Sequence, residues 1–335
     1  MSGIAGAMLN KMVGLQKSLS ESEEGDEKML HDKRKMERAG VFARWSFVVT
    51  VGLLLGLGGC SNQQVLLPKV TTNPAQQCHV GKFIWFDLFT NDLPAASRFY
   101  EALFDWSFEN TASGNERVKT IRHGGILVGN AIQIPPEKEK RSSGWLSFMS
   151  VVDVDRAVGL VEENGGSVYI PPKDVPHRGR ASIVHGPDGA PFALLAASGG
   201  DPSDGPLKPN YWLGSELWTN DVDGAVKFLG VLAGYEKKEM KIEDGSSYLL
   251  LYKDKQPRAG VVKIPWKDVK PNWVPYIGVK NIEAVVKKAQ ELGGRVLVNL
   301  DEKHEDDVAI IEDPTGAVFG VQSLQSISSG GGDRS

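Results

Sequence analysis

The chain has 335 residues, with 38 Lys and Arg against 42 Asp and Glu, a formal net charge of −4 and a pI near 5.9. That balance offers no basic stripe to replace phosphate counterions, which excludes nucleic acid as a partner. The length leaves room for two domain-sized cores, and the two cysteines, Cys60 and Cys78, are too few for a disulfide framework.

Residues 1–44 run from small and polar residues through the mixed-charge stretch Glu21–Arg38 without sustained apolar periodicity. They read as disordered or, over residues 1–35, as untranslated; a start at Met29 or Met36 gives a leader of ordinary length. Trp45–Gly59 is an apolar run of fifteen residues behind Arg38 and Arg44. It is shorter than the roughly 20 residues that span a bilayer and has the length of a signal-peptide apolar core. It ends in Leu57-Gly58-Gly59-Cys60, which resembles a bacterial lipobox. The resemblance implies that residues 1–59 are a leader and that Cys60 is lipidated and anchors the chain to a membrane. Residues 60–82, rich in Asn, Gln, Thr and Pro, then form a tether. The expected location is the periplasmic side of the cell envelope, with Ser61 rather than Asp after the cysteine favouring the outer membrane. A short membrane helix with an incidental cysteine is the alternative.

From Phe83 the chain repeats itself. Asp87-Leu88-Phe89-Thr90-Asn91-Asp92 is answered 129 residues later by Glu216-Leu217-Trp218-Thr219-Asn220-Asp221. Trp145 pairs with Trp273, Gly165-Gly166 with Gly293-Gly294, and Pro187-Asp188-Gly189 with Pro314-Thr315-Gly316. Strand-like runs at Phe83–Phe89, Trp145–Val152, Trp212–Trp218 and Trp273–Val279 each lead through Asn or Asp into a helix. The helices show apolar residues at i, i+3, i+4 and i+7: Ala96, Phe99, Tyr100, Leu103; Val154, Ala157, Val158, Val161; Val222, Ala225, Val226, Leu229; Ile282, Val285, Val286, Ala289. The second and fourth stop at Gly-Gly, as a left-handed cap requires. Short strands follow at Ser167–Ile170, Ala181–His185 and Phe192–Ala196, and again at Arg295–Leu300, Val308–Glu312 and Val318–Gln322, with Pro-Asp-Gly and Pro-Thr-Gly as hairpin turns. The expected organisation is a first module at 83–198, a linker at 199–210, a second module at 211–324 and a disordered tail at 325–335.

The paired βαβββ pattern carries an "ND-L-x-x-A-x-x-FY" opening, an "E-x-GG" middle, "PPKDVPHRGR" at Pro171–Arg180 and "GPDGAPFAL" near its end. With these it resembles the vicinal oxygen chelate superfamily, which includes glyoxalase I, extradiol dioxygenases and bleomycin- and fosfomycin-resistance proteins. Within it the wording is similar to tandem glyoxalase-like actinobacterial antigens and hydroxylases. The resemblance implies an α+β fold of tandem modules, four βαβββ units forming two cupped mixed sheets. It also implies a divalent metal in each enzymatic cup, held by side chains from the first and last strands of each unit. Counting back six residues from Asp92, Asp153, Asp221 and Asn281 reaches Phe86, Ser147, Ser215 and Pro275; the closing positions fall on Ala193 and Gly320. None of these is a usual metal ligand. A one-residue slip would present Asp87 or Glu216, still one carboxylate per cup, where a transition metal wants about three or four protein ligands. No metal and no cofactor are therefore expected.

The candidate ligand-binding residues are Phe86, Trp145, Ser147, Phe148, His177, Arg178 and Phe192, read as apolar walls and orienting polar groups of the first module's cup, with no catalytic residue assigned. The second module's equivalent loop, Asn299–Asp307, is acidic and would repel anions. His123, His185 and His304 read as surface or structural histidines. The tryptophans read as core, and Asp87 and Glu216 as hydrogen-bonding struts. Three functions remain open: metal-independent binding of a small molecule, by sequestration as in resistance-type relatives; a glyoxalase-, dioxygenase- or hydroxylase-type enzyme; and a structural envelope lipoprotein. The state of the cup separates them, because a filled cup leaves only the scaffold. Oligomeric state is not legible.

Overall fold

The repeated pattern of strand, capped helix and three strands builds two eight-stranded sheets of the same topology. The computed structural model describes residues 67–71, 77–111, 114–135, 143–241, 247–264, 266, 269–299 and 308–325. Cys60, His304 and residues 300–307 of the acidic loop lie outside them.

In the first sheet, β1 (Phe83–Thr90) leads into α1 (Leu93–Phe104), then β2 (Ser107–Asn110), β3 (Val118–His123) and β4 (Ile126–Gln133). The second unit repeats this with β5 (Gly144–Ser150), α2 (Val154–Glu163), β6 (Ser167–Val175), β7 (Gly179–His185) and β8 (Pro191–Ala197). The strand order is β2-β3-β4-β1-β5-β8-β7-β6, with β1 and β5 antiparallel at the centre and each parallel to the closing strand of its own unit. The second sheet reproduces that order with β9 (Trp212–Thr219), α3 (Val222–Ala233), β10 (Glu236–Lys241), β11 (Ser247–Lys253), β12 (Gln256–Lys263), β13 (Asn272–Val279), α4 (Ile282–Glu291), β14 (Arg295–Asn299), β15 (Val308–Glu312) and β16 (Val318–Ser323).

The helices begin where their capping chemistry places them. Asp92, Asp153, Asp221 and Asn281 each accept from the backbone N–H three residues on, at 2.9, 3.0, 3.0 and 2.8 Å. Each such cap contributes about 1 kcal/mol. Helices α2 and α4 end on Gly165 and Gly293 at φ of 84° and 85°. The following Gly166 and Gly294 donate back to the carbonyls of Val161 and Ala289, which satisfies an otherwise orphaned group at each end.

One segment departs from expectation. Pro171–Arg180, read as a loop, is mostly strand: β6 continues through Pro171 and Pro172 to Val175 with register shifts on either side of Ile170, and β7 begins at Gly179. β6 is an edge strand, where a residue without a donor N–H is tolerated. Only Pro176–Arg178 turns, with His177 at φ 62°.

The helix-bearing faces of the two sheets are turned toward each other and share one core. Phe86 stacks on Trp212 at 4.4 Å, Trp145 meets Trp212 edge-on at 4.8 Å, and Phe83 lies against Trp273 at 4.7 Å. The hydroxyls of Ser147 and Ser215 hydrogen-bond across this seam at 2.8 Å. The connecting stretch is pinned as well. Asp201 accepts from Ser150 and from the His79 backbone, and Asp204 bridges Lys82 and Arg258. No helix among the described residues is long and apolar enough to cross a membrane.

Candidate functional site

Strand alternation assigns every side chain of β1, β5 and β8 to one of two faces. Phe86, Leu88, Trp145, Met149, Phe192 and Leu194 join the core shared by the sheets. Trp85, Phe89, Leu146, Phe148, Ala193 and Leu195 form a separate cluster on the face turned away from the helices. The seven residues expected to line one cup therefore divide. Phe86, Trp145, Ser147 and Phe192 face the seam between the modules, Phe148 and Arg178 lie on the helix-free face, and His177 is exposed at the β6–β7 turn.

The reason is parity. The helix-free position of β1 lies five residues before the cap Asp92, not six, so it is Asp87; the corresponding position of β9 is Glu216. A break in register between Phe83 and Trp85 puts Ile84 and Trp85 on the same face. The aromatic residues read as cup walls are instead walls of the core between modules.

The helix-free face of the first sheet is built around Arg178. Its side chain is 1% exposed, and its guanidinium lies 4.1 Å from the centroid of the Trp85 ring. The Nε group donates to the Pro68 carbonyl at 3.0 Å, while both terminal nitrogens are buried without a hydrogen-bond partner. Asp87, also buried, accepts through Oδ1 from Trp85 Nε1 at 2.7 Å and from Asn130 Nδ2 at 3.1 Å; Asn130 Oδ1 is left unpartnered. Burial pulls the Arg178 pKa down to about 10, and the Asp87 charge opposes that pull. Burial pushes Asp87 up, against the Arg178 charge and the Trp85 and Asn130 hydrogen bonds.

Residues 67–71, part of the stretch read as a tether, cover this face. Val70 is 4% exposed and Leu67 packs with it into the cluster of Trp85, Phe148, Ile170, Val175 and Ile183. The equivalent face of the second sheet is closed by its own side chains. Tyr276 Oη and Trp218 Nε1 both donate to Glu216 Oε1, at 3.0 and 2.8 Å, and Trp266 stacks on Trp218 at 5.5 Å. The Tyr276 ring lies so close over Gly320 that no side chain fits there. The two repeated carboxylates thus act as struts, as the sequence suggests, although they join side chains of the sheet rather than strand to helix.

These positions do not suit a divalent ion. The first sheet presents Asp87, Asn130, Phe148 and Ala193, the second Glu216, Tyr276 and Gly320, which is one carboxylate each where three or four protein ligands are needed. Among the described residues no group of three His, Cys, Asp or Glu comes together. Sequence reasoning missed Asn130, which is not a usual metal-ligating residue; a buried amide opposite the repeated carboxylate was the available signal. It also missed the return of residues 67–71, which have no periodicity to betray them.

Comparison with known proteins fits this architecture. Residues 82–194 match the family model described as Glyoxalase/Bleomycin resistance protein/Dioxygenase superfamily. Over 241 residues the chain is 30% identical to the candidate glyoxylase CFP32 of Mycobacterium tuberculosis, covering 71% of this chain and 92% of that protein. It is 27% identical over 255 residues to the anthracycline biosynthesis protein DnrV of Streptomyces peucetius, covering 72% and 92%. A Mn(II)-bound glyoxalase from Novosphingobium aromaticivorans shares the fold at a TM-score of 0.51 and 14% identity, over 73% of this chain and 83% of that one. The chain belongs to the Glyoxalase/Bleomycin resistance protein/Dioxygenase superfamily.

Proposed function

We propose that this chain is a metal-independent binding protein of its superfamily, anchored through lipid on Cys60 in the cell envelope, that takes a small neutral or anionic molecule bearing carbonyl or carboxylate oxygens. The ligand site is the helix-free face of the first sheet. The observation that carries the reading is Arg178: a fully buried guanidinium with two unpartnered donor groups, set beside Asp87 and over Trp85. Orphaned buried donors are uncommon because each costs about 1–3 kcal/mol, and a planar fork suits paired oxygens. The Pro68 carbonyl already fills one donor of that fork, as a ligand oxygen would, so a ligand enters by displacing residues 67–71. The anchor rests on the sequence from Arg44 to Cys60 alone.

A second reading, a scaffold without ligand, is favoured by the insertion of Leu67 and Val70 into the same face. Thermal-shift screening of the full chain with small carboxylates and neutral carbonyl compounds separates the two, since a ligand of the native state raises the melting temperature by mass action. Hits are expected in the wild type, strengthened in Val70→Gly, where the covering segment is loosened, and abolished in Arg178→Met. Silence in both the wild type and Val70→Gly would leave only the scaffold.

A further inference from the structure

The two sheets meet through a pseudo-symmetric seam, so each feature of one half has a counterpart in the other, and one half is full where the other is hollow. In the full half, Tyr100 is completely buried among Phe99, Phe104, Trp106, Trp145 and Phe319. Its hydroxyl accepts from Trp145 Nε1 at 2.9 Å and lies beside the buried Asp313 carboxylate. In the other half, at the repeat offset of 127–129, Tyr100 becomes Leu229, Asp313 becomes Gly186 and Ala95 becomes Gly224. There a cavity of about 110 Å³ opens between the modules, lined by Phe192, Phe228, Leu229 and Trp273 among others and bounded at the surface by Pro187 and Asp221.

The polar groups that held the tyrosine persist around this hollow. Trp273 replaces Trp145, and among the described residues its indole N–H makes no hydrogen bond. The carboxylate moves two positions along the turn, from the place of Asp313 to Asp188. There Oδ1 takes over the turn bond to Ala190 at 3.1 Å, as Asp313 Oδ1 bonds Ala317 at 3.0 Å, and Oδ2 is buried without a partner. An apolar cavity of ~150 Å³ holds benzene, so this smaller cavity, open at the surface, has the scale of one ring.

We infer that the seam cavity is a second ligand site, distinct from the Arg178 face, and that it takes a small phenol whose ring fills the space vacated by Tyr100→Leu229 and whose hydroxyl bridges Trp273 and Asp188. The hydroxyl accepts from the indole, as Tyr100 accepts from Trp145, and donates to the unpartnered oxygen of Asp188. A ring without the hydroxyl leaves both groups unpaired.

The probe is phenol itself, titrated into the full chain and followed by ligand-observed NMR, with toluene as the hydroxyl-free ring. Phenol is expected to bind at least about tenfold more tightly than toluene, the discrimination of one hydrogen bond to a charged group. Leu229→Tyr, which rebuilds the full half, is expected to abolish phenol binding and raise the melting temperature. Asp188→Asn should weaken phenol about tenfold and leave toluene unchanged, and Arg178→Met should leave both unchanged, which separates this site from the one on the helix-free face. Equal binding of phenol and toluene, unaltered phenol binding in Leu229→Tyr, or a Leu229→Tyr chain that cannot fold would each overturn the inference.

Discussion

Replacing Asp87 by Asn removes one charge and almost nothing else, because the amide oxygen can still accept from Trp85 Nε1 and the site stays buried. What is lost is the charge that opposes desolvation of Arg178. Burial lowers the pKa of that guanidinium from its ordinary value above 12 to about 10 even with Asp87 present. At about 1.4 kcal/mol per tenfold, holding the charge there already disfavours the native state by roughly 3 kcal/mol. Taking away the opposing charge should cost about 3 kcal/mol more, the usual effect of stranding one member of a buried pair. The double variant Asp87→Asn/Arg178→Met removes both charges and fills the space with an apolar chain. It should recover everything the single change loses and exceed the wild type by about 1 kcal/mol, as buried ion pairs replaced by apolar residues often do. Because the folded pKa of Arg178 is lowered, its unfavourable contribution is relieved only as the pH rises above about 10, so substitution is the practical probe. Urea unfolding at pH 7 measures both variants, with an unchanged slope required for the comparison. An Asp87→Asn chain within 0.5 kcal/mol of the wild type, or a double variant no more stable than the single, would refute the reasoning. The double variant should also lose the thermal response to carboxylates while staying folded, the signature of a group retained for binding at the expense of stability.

Gly320→Ala drives a methyl into the buried Tyr276 ring, which its bond to Glu216 holds in place; overpacking of this kind costs about 1–3 kcal/mol, visible as a lowered calorimetric melting temperature. Asp204→Asn breaks the two-point contact with Arg258 at 2.7 and 2.9 Å and the bridge to Lys82 at 2.9 Å. Because the Asp204 side chain is 28% exposed and partly screened by solvent, a loss of about 1–2 kcal/mol is expected at pH 7. Burial raises the Asp204 pKa, but the hydrogen bonds and charges of Arg258 and Lys82 outweigh it and hold the carboxyl well below its usual range. Its contribution is complete above the ordinary carboxylate pKa and fades as the pH falls through the folded value. Thermal melts should therefore show a wild-type advantage that is smaller at pH 3 than at pH 7.

What the sequence showed clearly was whatever is decided within one turn of chain. The four caps, the two Gly-Gly stops and the turns at Pro187-Asp188-Gly189 and Pro314-Thr315-Gly316 are local hydrogen-bond chemistry, and the structure has them where they were read. The duplication made it legible that the two sheets share one topology, since a second copy must pair as the first does. The faces were not recoverable in the same way. A strand buried on both sides shows no polar alternation, so Phe86 and Trp85 look equally suited to either side, and one residue in the count from Asp92 reversed the answer. That error sent Trp145, Ser147 and Phe192 to a cup when they belong to the seam. Arg178 stood out only as one polar group, beside His177 and Arg180, of the Pro-rich segment before the closing strands; its burial over Trp85 is a tertiary fact that no local pattern carries.

Duplication supplies an internal control on each candidate site. Both copies bond the repeated carboxylate to an indole, although from non-equivalent positions, Trp85 two residues before Asp87 and Trp218 two residues after Glu216, so this shared contact is explained by folding alone. Where the copies differ, the difference must be absorbed locally. On the helix-free faces, Tyr276 over Gly320 satisfies the strut carboxylate of the second sheet with a phenol from its own chain, whereas the first sheet carries Phe148 over Ala193 and an Arg178 whose donors are not all met. At the seam the order is reversed: α1, from the first module, supplies the filling Tyr100, and α3, from the second, supplies Leu229 and a hollow. In both places the complete version contains a tyrosine hydroxyl hydrogen-bonded to an indole or to a carboxylate that an indole also bonds, and the incomplete version lacks that tyrosine. Packing alone would favour closing both gaps, since a void or an orphaned donor each costs about 1 kcal/mol or more. The first sheet's helix-free face and the α3 half of the seam are therefore two places among the described residues where interactions are held in reserve, and where bound molecules have something to complete.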